Sequence, residues 1–297
     1  MRSRVGAESW VLRRGKPRGT VFVMSTSRRH RQASHGSPQA WQGSIFVGPQ
    51  AGLFRGLAGD NAPHAHGAHQ LSVGLDTRVT VHGRAGPISA RAVFVAASSV
   101  HRVEGRHVLS VYADVSSSLG IAMRDTVVSL DPIVRVPDRL ARRLATIARA
   151  DEALGAKIFD AIAVEFGEDK GRATPDAALA RVADALLDAM RREACPTRRE
   201  LASLLGLSES RFSHWFRERA GMPMQTYRKW LRLTRVVERI LDGEPMAGAS
   251  VAAGFADQAH FVRTFRAMFG INPVAALGRG DRSPQHKRSR RSDPRSA

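Results

Sequence analysis

The stretch Leu201–Pro223, LASLLGLSESRFSHWFRERAGMP, is followed by a degenerate copy of itself at Ser250–Pro273, SVAAGFADQAHFVRTFRAMFGINP. Gly206 aligns with Gly254 and Leu207 with Phe255 at an offset of 48. Ser208 aligns with Asp257, Phe212 with Phe261, Phe216 with Phe265 and Gly221 with Gly270 at an offset of 49. Internal repetition speaks about architecture before any single residue has a role. Each copy reads as short helix, glycine turn, capping residue and second helix, the pattern of a helix-turn-helix. The second helix of such a unit enters a DNA major groove. Two units on one chain suggest a protein that reads two stretches of groove.

In the first copy Arg199–Leu205 reads as a short amphipathic helix. Gly206 suits the positive φ of a tight turn, and Ser208 can cap the helix that follows. That helix spans about 208–219. At roughly 100° per residue, Phe212, Trp215 and Phe216 share one face, and Ser210, Ser213, His214 and Arg217 share the other. In the second copy Asp257 is the cap of a helix at about 257–268. Phe261, Phe265 and Met268 form its inward stripe, while Ala259, Val262, Arg263 and Arg266 face out and Gln258 sits in the first turn. Arg can pair with guanine, Gln with adenine, and Ala or Val can meet a thymine methyl. Between the copies Met224–Leu241 has no Pro or Gly, and Tyr227, Leu231, Thr234, Ile240 and Leu241 give it an apolar side. Eighteen helical residues reach roughly 27 Å, near enough to the ~34 Å between successive groove faces to serve two helices if the DNA bends.

A composition of 43% hydrophobic and 25% charged residues is that of a soluble globular protein. The net charge of +19 is unevenly spread. Residues 1–43 hold nine Lys and Arg against one acid, and residues 281–297 hold six against two, so the two ends carry nearly two thirds of the net charge. The repeat region 196–280 holds thirteen against seven, whereas 44–195 is almost balanced, at eighteen against seventeen. Basic tails add phosphate affinity without sequence preference or are simply solvated; the excess within the repeat bears more directly on function. The single cysteine, Cys195, excludes an intramolecular disulfide and suits a reducing compartment. No apolar run approaches the roughly 18 residues that span a bilayer, and the N-terminus lacks a secretory signal, so a cytoplasmic protein with no membrane partner is expected. Met24 offers a second possible start.

The order of textures sets the expected domains. Residues 1–43 have no foldable pattern and are expected to be disordered, as is the basic tail 281–297. Over 44–136, short runs at Ser44–Val47, Gln70–Leu75, Arg78–Val81, Ala92–Ala97 and Val108–Val115 are broken by turn residues and read as strands of a small sandwich or barrel. Over 137–195 the pattern is helical: Leu140, Leu144, Ile147 and Ala148, then Ile158, Ile162 and Phe166, then Leu179, Val182, Leu186 and Met190, with Thr174 and Pro175 opening the third helix. This connector is a candidate dimerisation region. Residues 196–280 form the all-α unit with both helix-turn-helix motifs, so the fold class is α+β.

Residues 196–280 resemble the DNA-binding domain of the AraC/XylS family of transcriptional regulators. The likeness is carried by GF, D-Q-x-x-F-x-x-x-F-R and F-G-I-N-P within Gly254–Pro273, and by GLSESRFSHWFRERAGMP in the first copy. The resemblance implies seven helices, two helix-turn-helix motifs and binding to double-stranded promoter DNA beside RNA polymerase, commonly as an activator. It places Ser210, Ser213 and His214, and then Gln258, Ala259 and Arg263, on the base-reading faces. Where the family often has a large or charged reader this chain has Ser210, Ser213 and Ala259. First-unit readout therefore rests on His214, Arg211 and Arg217, and Arg266 adds charge to the second.

His64, His66 and His69, with His101 downstream, are the other concentration of chemistry. An H-x-H strand and a later histidine in a small barrel resemble the cupin motif, and regulators of this family commonly carry a cupin-like effector domain. Gln70 stands near where a metal-binding cupin usually has Glu. His64, His66 and His101 are accordingly candidates for effector contact or plain surface histidines, with no metal site, cofactor or catalysis expected. The rival reading is a metal-dependent cupin enzyme fused to a DNA-binding module.

Overall fold

A computed structural model of the chain describes residues 20–23, 41–48, 50–127, 129, 131–150, 156–167, 176–192 and 194–277. Its N-terminal half holds two antiparallel sheets. The larger comprises β1 (Thr20–Val23), β2 (Gln42–Gly48), β3 (Ala51–Leu57), β4 (Ala68–Gly74), β7 (Ala92–Val95), β9 (His107–Asp114) and β10 (Ile133–Arg135), in the order β1-β2-β3-β9-β4-β7-β10. The smaller comprises β5 (Val79–Gly83), β6 (Gly86–Ala90) and β8 (Arg102–Glu104), in the order β6-β5-β8.

The two-residue period of the strands sorts their side chains between two cores. Leu71 and Val73 of β4, Phe94 of β7, and Leu109 and Val111 of β9 face one core. Val93, Val95 and Val108 face the other, against Val79, Val81 and Val103 of the small sheet. The first core is closed by α1 (Ser118–Thr126), α2 (Asp138–Ala150) and α3 (Ala156–Phe166), which contribute Met123, Leu144, Ile158 and Ile162. With helices on one face of the large sheet and other elements on the second, β4 is buried along its whole length. The expected cupin-like barrel is thus replaced: among the described residues the strands form two separate sheets rather than a closed barrel. An apolar outer face covered by helices gives a layered structure, not a barrel with a solvated exterior.

The seven helices α4 (Ala177–Arg191), α5 (Arg198–Ser203), α6 (Glu209–Ala220), α7 (Met224–Leu241), α8 (Met246–Ala252), α9 (Gln258–Phe269) and α10 (Pro273–Leu277) share a third core. The helical connector is therefore divided. Its first two helices pack on the sheet, and its third packs among the C-terminal helices. The cap of α4 is Asp176, whose carboxylate accepts from the backbone N–H groups of Ala178 and Leu179; Thr174 and Pro175 lie outside the described residues, as does the tail 281–297.

Candidate DNA-reading surface and the domain interface

Helices α5–α6 and α8–α9 make two pairs with matching local chemistry. Gly206 and Gly254 sit between the members of each pair with φ of 65° and 84°, a backbone region that costs glycine little. Ser208 accepts from the backbone N–H of Arg211 at 3.4 Å and caps α6; Asp257 accepts from that of His260 at 2.6 Å and caps α9. Each second helix is 12 residues long and ends on a left-handed glycine, Gly221 or Gly270, both at φ 70°. Phe212, Phe216, Phe261 and Phe265 are buried.

The opposite faces are open. Ser210, Arg211, His214 and Arg217 are exposed on α6, as are Gln258, Ala259, Arg263 and Arg266 on α9. None of Arg211, Arg217, Arg263 and Arg266 forms an ion pair among the described residues. Two residues assigned outward are only partly so. Val262 is half-buried, and Ser213 is half-buried with its hydroxyl donating to the carbonyl of Glu209 at 2.9 Å. Such back-bonding within a helix is common for serine, and it leaves Ser213 an acceptor rather than a donor.

Helix α7 runs between the two pairs and also packs against the N-terminal half. Tyr227, Trp230, Leu231, Leu233, Val236, Val237, Ile240 and Leu241 are all buried, a much wider apolar surface than one stripe. At its contact with β9 the Asp114 carboxylate accepts from Tyr227 Oη at 2.9 Å, Trp230 Nε1 at 3.2 Å, and the backbone N–H and hydroxyl of Ser116 at 2.9 and 2.7 Å. Burial pushes the Asp114 carboxyl up, and these four donors offset part of that shift. Sequence inspection missed Asp114 and Trp230. The available signal was an acid closing an otherwise apolar strand, HVLSVYAD, since a buried carboxylate requires partners.

Beside this contact lies a cavity of about 140 Å³ between the sheet and helices α7, α9 and α10. Ile45, Val47, Tyr112, Leu233, Val237 and Phe269 give it a mostly apolar wall; Asn61, His64, Gln70, Asp114 and Glu238 also reach it, and neither Lys nor Arg is among its described lining residues.

The three histidines expected to contact an effector are brought together, and they are buried rather than on a surface loop: His64, His66 and His101 are 6%, 2% and 1% exposed. His64 and His101 exchange backbone hydrogen bonds, each 2.9 Å, across an antiparallel bridge. Burial holds His64 down to about 4 and lowers His66 and His101. His69 faces elsewhere, accepting from the backbone N–H of Ala97 at 3.2 Å and packing on Phe94.

Comparison with known proteins gives this arrangement a class. Residues 201–279 match the family model described as a helix-turn-helix domain. No curated protein matches the chain. ToxT from Vibrio cholerae O395 aligns with a TM-score of 0.54 at 10% identity, over 77% of this chain and 96% of that one. Wild-type ToxT from Vibrio cholerae strain SCE256 with an unsaturated fatty acid bound gives 0.51 at 10% identity, over 84% and 97%. ToxT bound to (E)-4-(8-methylnaphthalen-1-yl)but-3-enoic acid gives 0.50 at 12% identity, over 77% and 97%. The helical half is therefore a DNA-binding domain of the helix-turn-helix class, preceded by a sheet-rich domain as in ToxT. Within that class residues 201–279 are an AraC-type domain. No described helix is long and apolar enough to cross a membrane.

Proposed function

We propose that the chain regulates transcription by inserting α6 and α9 into adjacent major-groove segments of promoter DNA. The observation that carries this reading is the matched construction of the two helices: the same length, the same style of cap, the same terminal glycine conformation and an open polar or basic face. On α9, Arg263 and Gln258 supply bidentate donors and acceptors for base edges. On α6 the readers are His214, Arg211 and Arg217, with Ser210 and Ser213 allowing close approach. Binding sites selected from random duplexes, followed by footprinting, test this; the expected site has two contacted patches.

The same reading includes a small-molecule effector in the cavity beside α7. Its wall is mostly apolar, and it holds the carboxyls of Asp114 and Glu238 but no Lys or Arg, so a neutral apolar molecule fits better than a carboxylate, which would lose its hydration without a charge partner. A ligand there touches α7 and the end of α9 directly, and so bears on the placement of both reading helices. Filling the cavity with Val237→Trp is expected to abolish any ligand-induced thermal shift while circular dichroism shows the fold kept.

A further inference from the structure

We propose that His64, His66 and His101, with the side-chain oxygen of Gln70, form a site for one divalent transition-metal ion, set against the DNA-binding half of the chain. This inference stands apart from the DNA-binding reading and is tested separately.

The geometry is that of ligands already oriented. The candidate ligand atoms of the three histidines all lie within 4.8 Å of one another. Each ring fixes its other nitrogen on a backbone carbonyl: His64 Nδ1 on Ala62 at 2.9 Å, His66 Nδ1 on Ala68 at 3.0 Å, and His101 Nδ1 on Ser99 at 2.9 Å. A carbonyl only accepts, so each Nδ1 carries the proton and each Nε2 presents a lone pair. Metal-binding histidines are held in this way, with the non-ligating N–H bonded to a carbonyl or carboxylate.

Gln70 completes the set. Its Oε1 lies 2.7 Å from His66 Nε2 and 2.9 Å from His101 Nε2. With both Nδ1 atoms protonated, that places an acceptor against two acceptors. Two arrangements relieve it. In the first the amide is turned over, so that its NH2 group donates to both rings and its oxygen accepts from Ser72, whose hydroxyl is 2.8 Å from the amide nitrogen position. In the second a cation sits among the four atoms, and Oε1 moves slightly off the two rings to become its fourth ligand. A neutral amide serves both states, which a buried carboxylate would not. Three imidazoles and a neutral oxygen suit zinc, nickel, cobalt or ferrous iron rather than calcium or magnesium, which prefer all-oxygen sites. An ion at roughly 2.0–2.1 Å from each nitrogen draws the rings closer together. The site also adjoins the helical half. His66 packs on Trp230 and Phe269 with ring centroids 5.9 Å apart in each case, and the Ala62 N–H donates to the Gly270 carbonyl at 3.0 Å.

The test uses the full chain, stripped with chelator and titrated with Co2+ while its visible ligand-field absorption is followed, then back-titrated with Zn2+. The expected result is one Co2+ per chain, displaced by Zn2+, with a rise in Tm on binding. His66→Ala and His101→Gln are each expected to weaken Co2+ binding by at least about 100-fold, and Gln70→Ala by about 10-fold. His82→Ala, at a half-exposed histidine paired with Glu104, is expected to bind as the wild type does. Circular dichroism separates loss of metal from loss of fold, and should any one variant fail to fold, the other two give the same reading. Wild-type binding no tighter than that of the folded His66, His101 or Gln70 variants, or equally weakened by His82→Ala, would overturn the proposal.

Discussion

The hydroxyl of Tyr227 on α7 donates to Oδ1 of Asp114, at the end of β9, across 2.9 Å, and both side chains are buried. Trp230, three residues further along α7, holds Oδ2 of the same carboxylate. One acid of the sheet domain thus fixes the helix from which both candidate reading helices are suspended. A buried carboxylate tolerates this position only while its donors stay in place.

That contact gives the first prediction. Tyr227→Phe removes one donor and keeps the ring, and is expected to lower the stability of the full chain by about 1–3 kcal/mol. Asp114→Ala strands the Tyr227, Trp230 and Ser116 donors together and should cost more. Asp114→Asn keeps an acceptor at Oδ1 but turns an amide N–H toward Trp230, so it should fall between the two. Urea denaturation read through tryptophan fluorescence orders the three; an Asp114→Ala midpoint at the wild-type value would show that the contact holds nothing together.

Phe212 and Phe261 give the second. Both are fully buried at equivalent positions of their helices. Each Phe→Ala change is expected to cost about 3–5 kcal/mol. Exposed Ala259→Ser should change stability by less than about 0.5 kcal/mol. Denaturation of the full chain carrying each change measures all three, and a wild-type midpoint for either phenylalanine variant would mean that the inward and outward faces have been exchanged.

The two terminal glycines make an internally controlled pair. A Cβ on Gly221 would meet nothing within 4 Å, whereas one on Gly270 would meet the Ala62 carbonyl oxygen at 2.2 Å and His64 Nδ1 at 2.9 Å. Both share the left-handed conformation, so each alanine carries roughly 1–2 kcal/mol of backbone strain. Gly270→Ala is expected to destabilise more than Gly221→Ala, by the cost of pushing α9 off the sheet domain. Thermal melting of the two variants decides it, and equal losses would place that contact out of play.

The helical half was largely legible in the sequence, because caps, glycine turns and a 3.6-residue period are local signals. Helix α7 occupies the expected Met224–Leu241. Its single apolar side was too narrow a reading: Trp230, Leu233, Val236 and Val237 are buried as well, since the helix is covered by its neighbours and by the sheet at once. The sheet half was legible in part. Ala51–Leu57, AGLFRGL, gave no strand signal because its glycines hide the alternation, yet β3 pairs with both β2 and β9. Helix α1 follows directly on the Ser116–Ser117 turn and was missed for want of a long apolar period. The histidines looked like a polar loop, and their burial depends on a bridge between His64 and His101, 37 positions apart, and on the helical half that covers them.

Arg263 carries the prediction about specificity. It is exposed on α9 and makes no ion pair among the described residues. Arg263→Ala is expected to weaken binding to a selected site by roughly 1–3 kcal/mol and to relax preference at one base pair. Binding to the selected and scrambled duplexes at one salt concentration distinguishes the roles: an equal loss on both would make Arg263 a phosphate contact only.

The most direct test of the two-helix reading maps where each helix falls on DNA. Sites selected from random duplexes are footprinted with the wild-type chain, with His214→Ala/Arg217→Ala and with Arg263→Ala. The expected result is two contacted patches centred about 10–10.5 base pairs apart, the first variant losing one patch and Arg263→Ala the other. A single patch, or the same patch lost in both variants, would contradict the claim that α6 and α9 read separate stretches of groove.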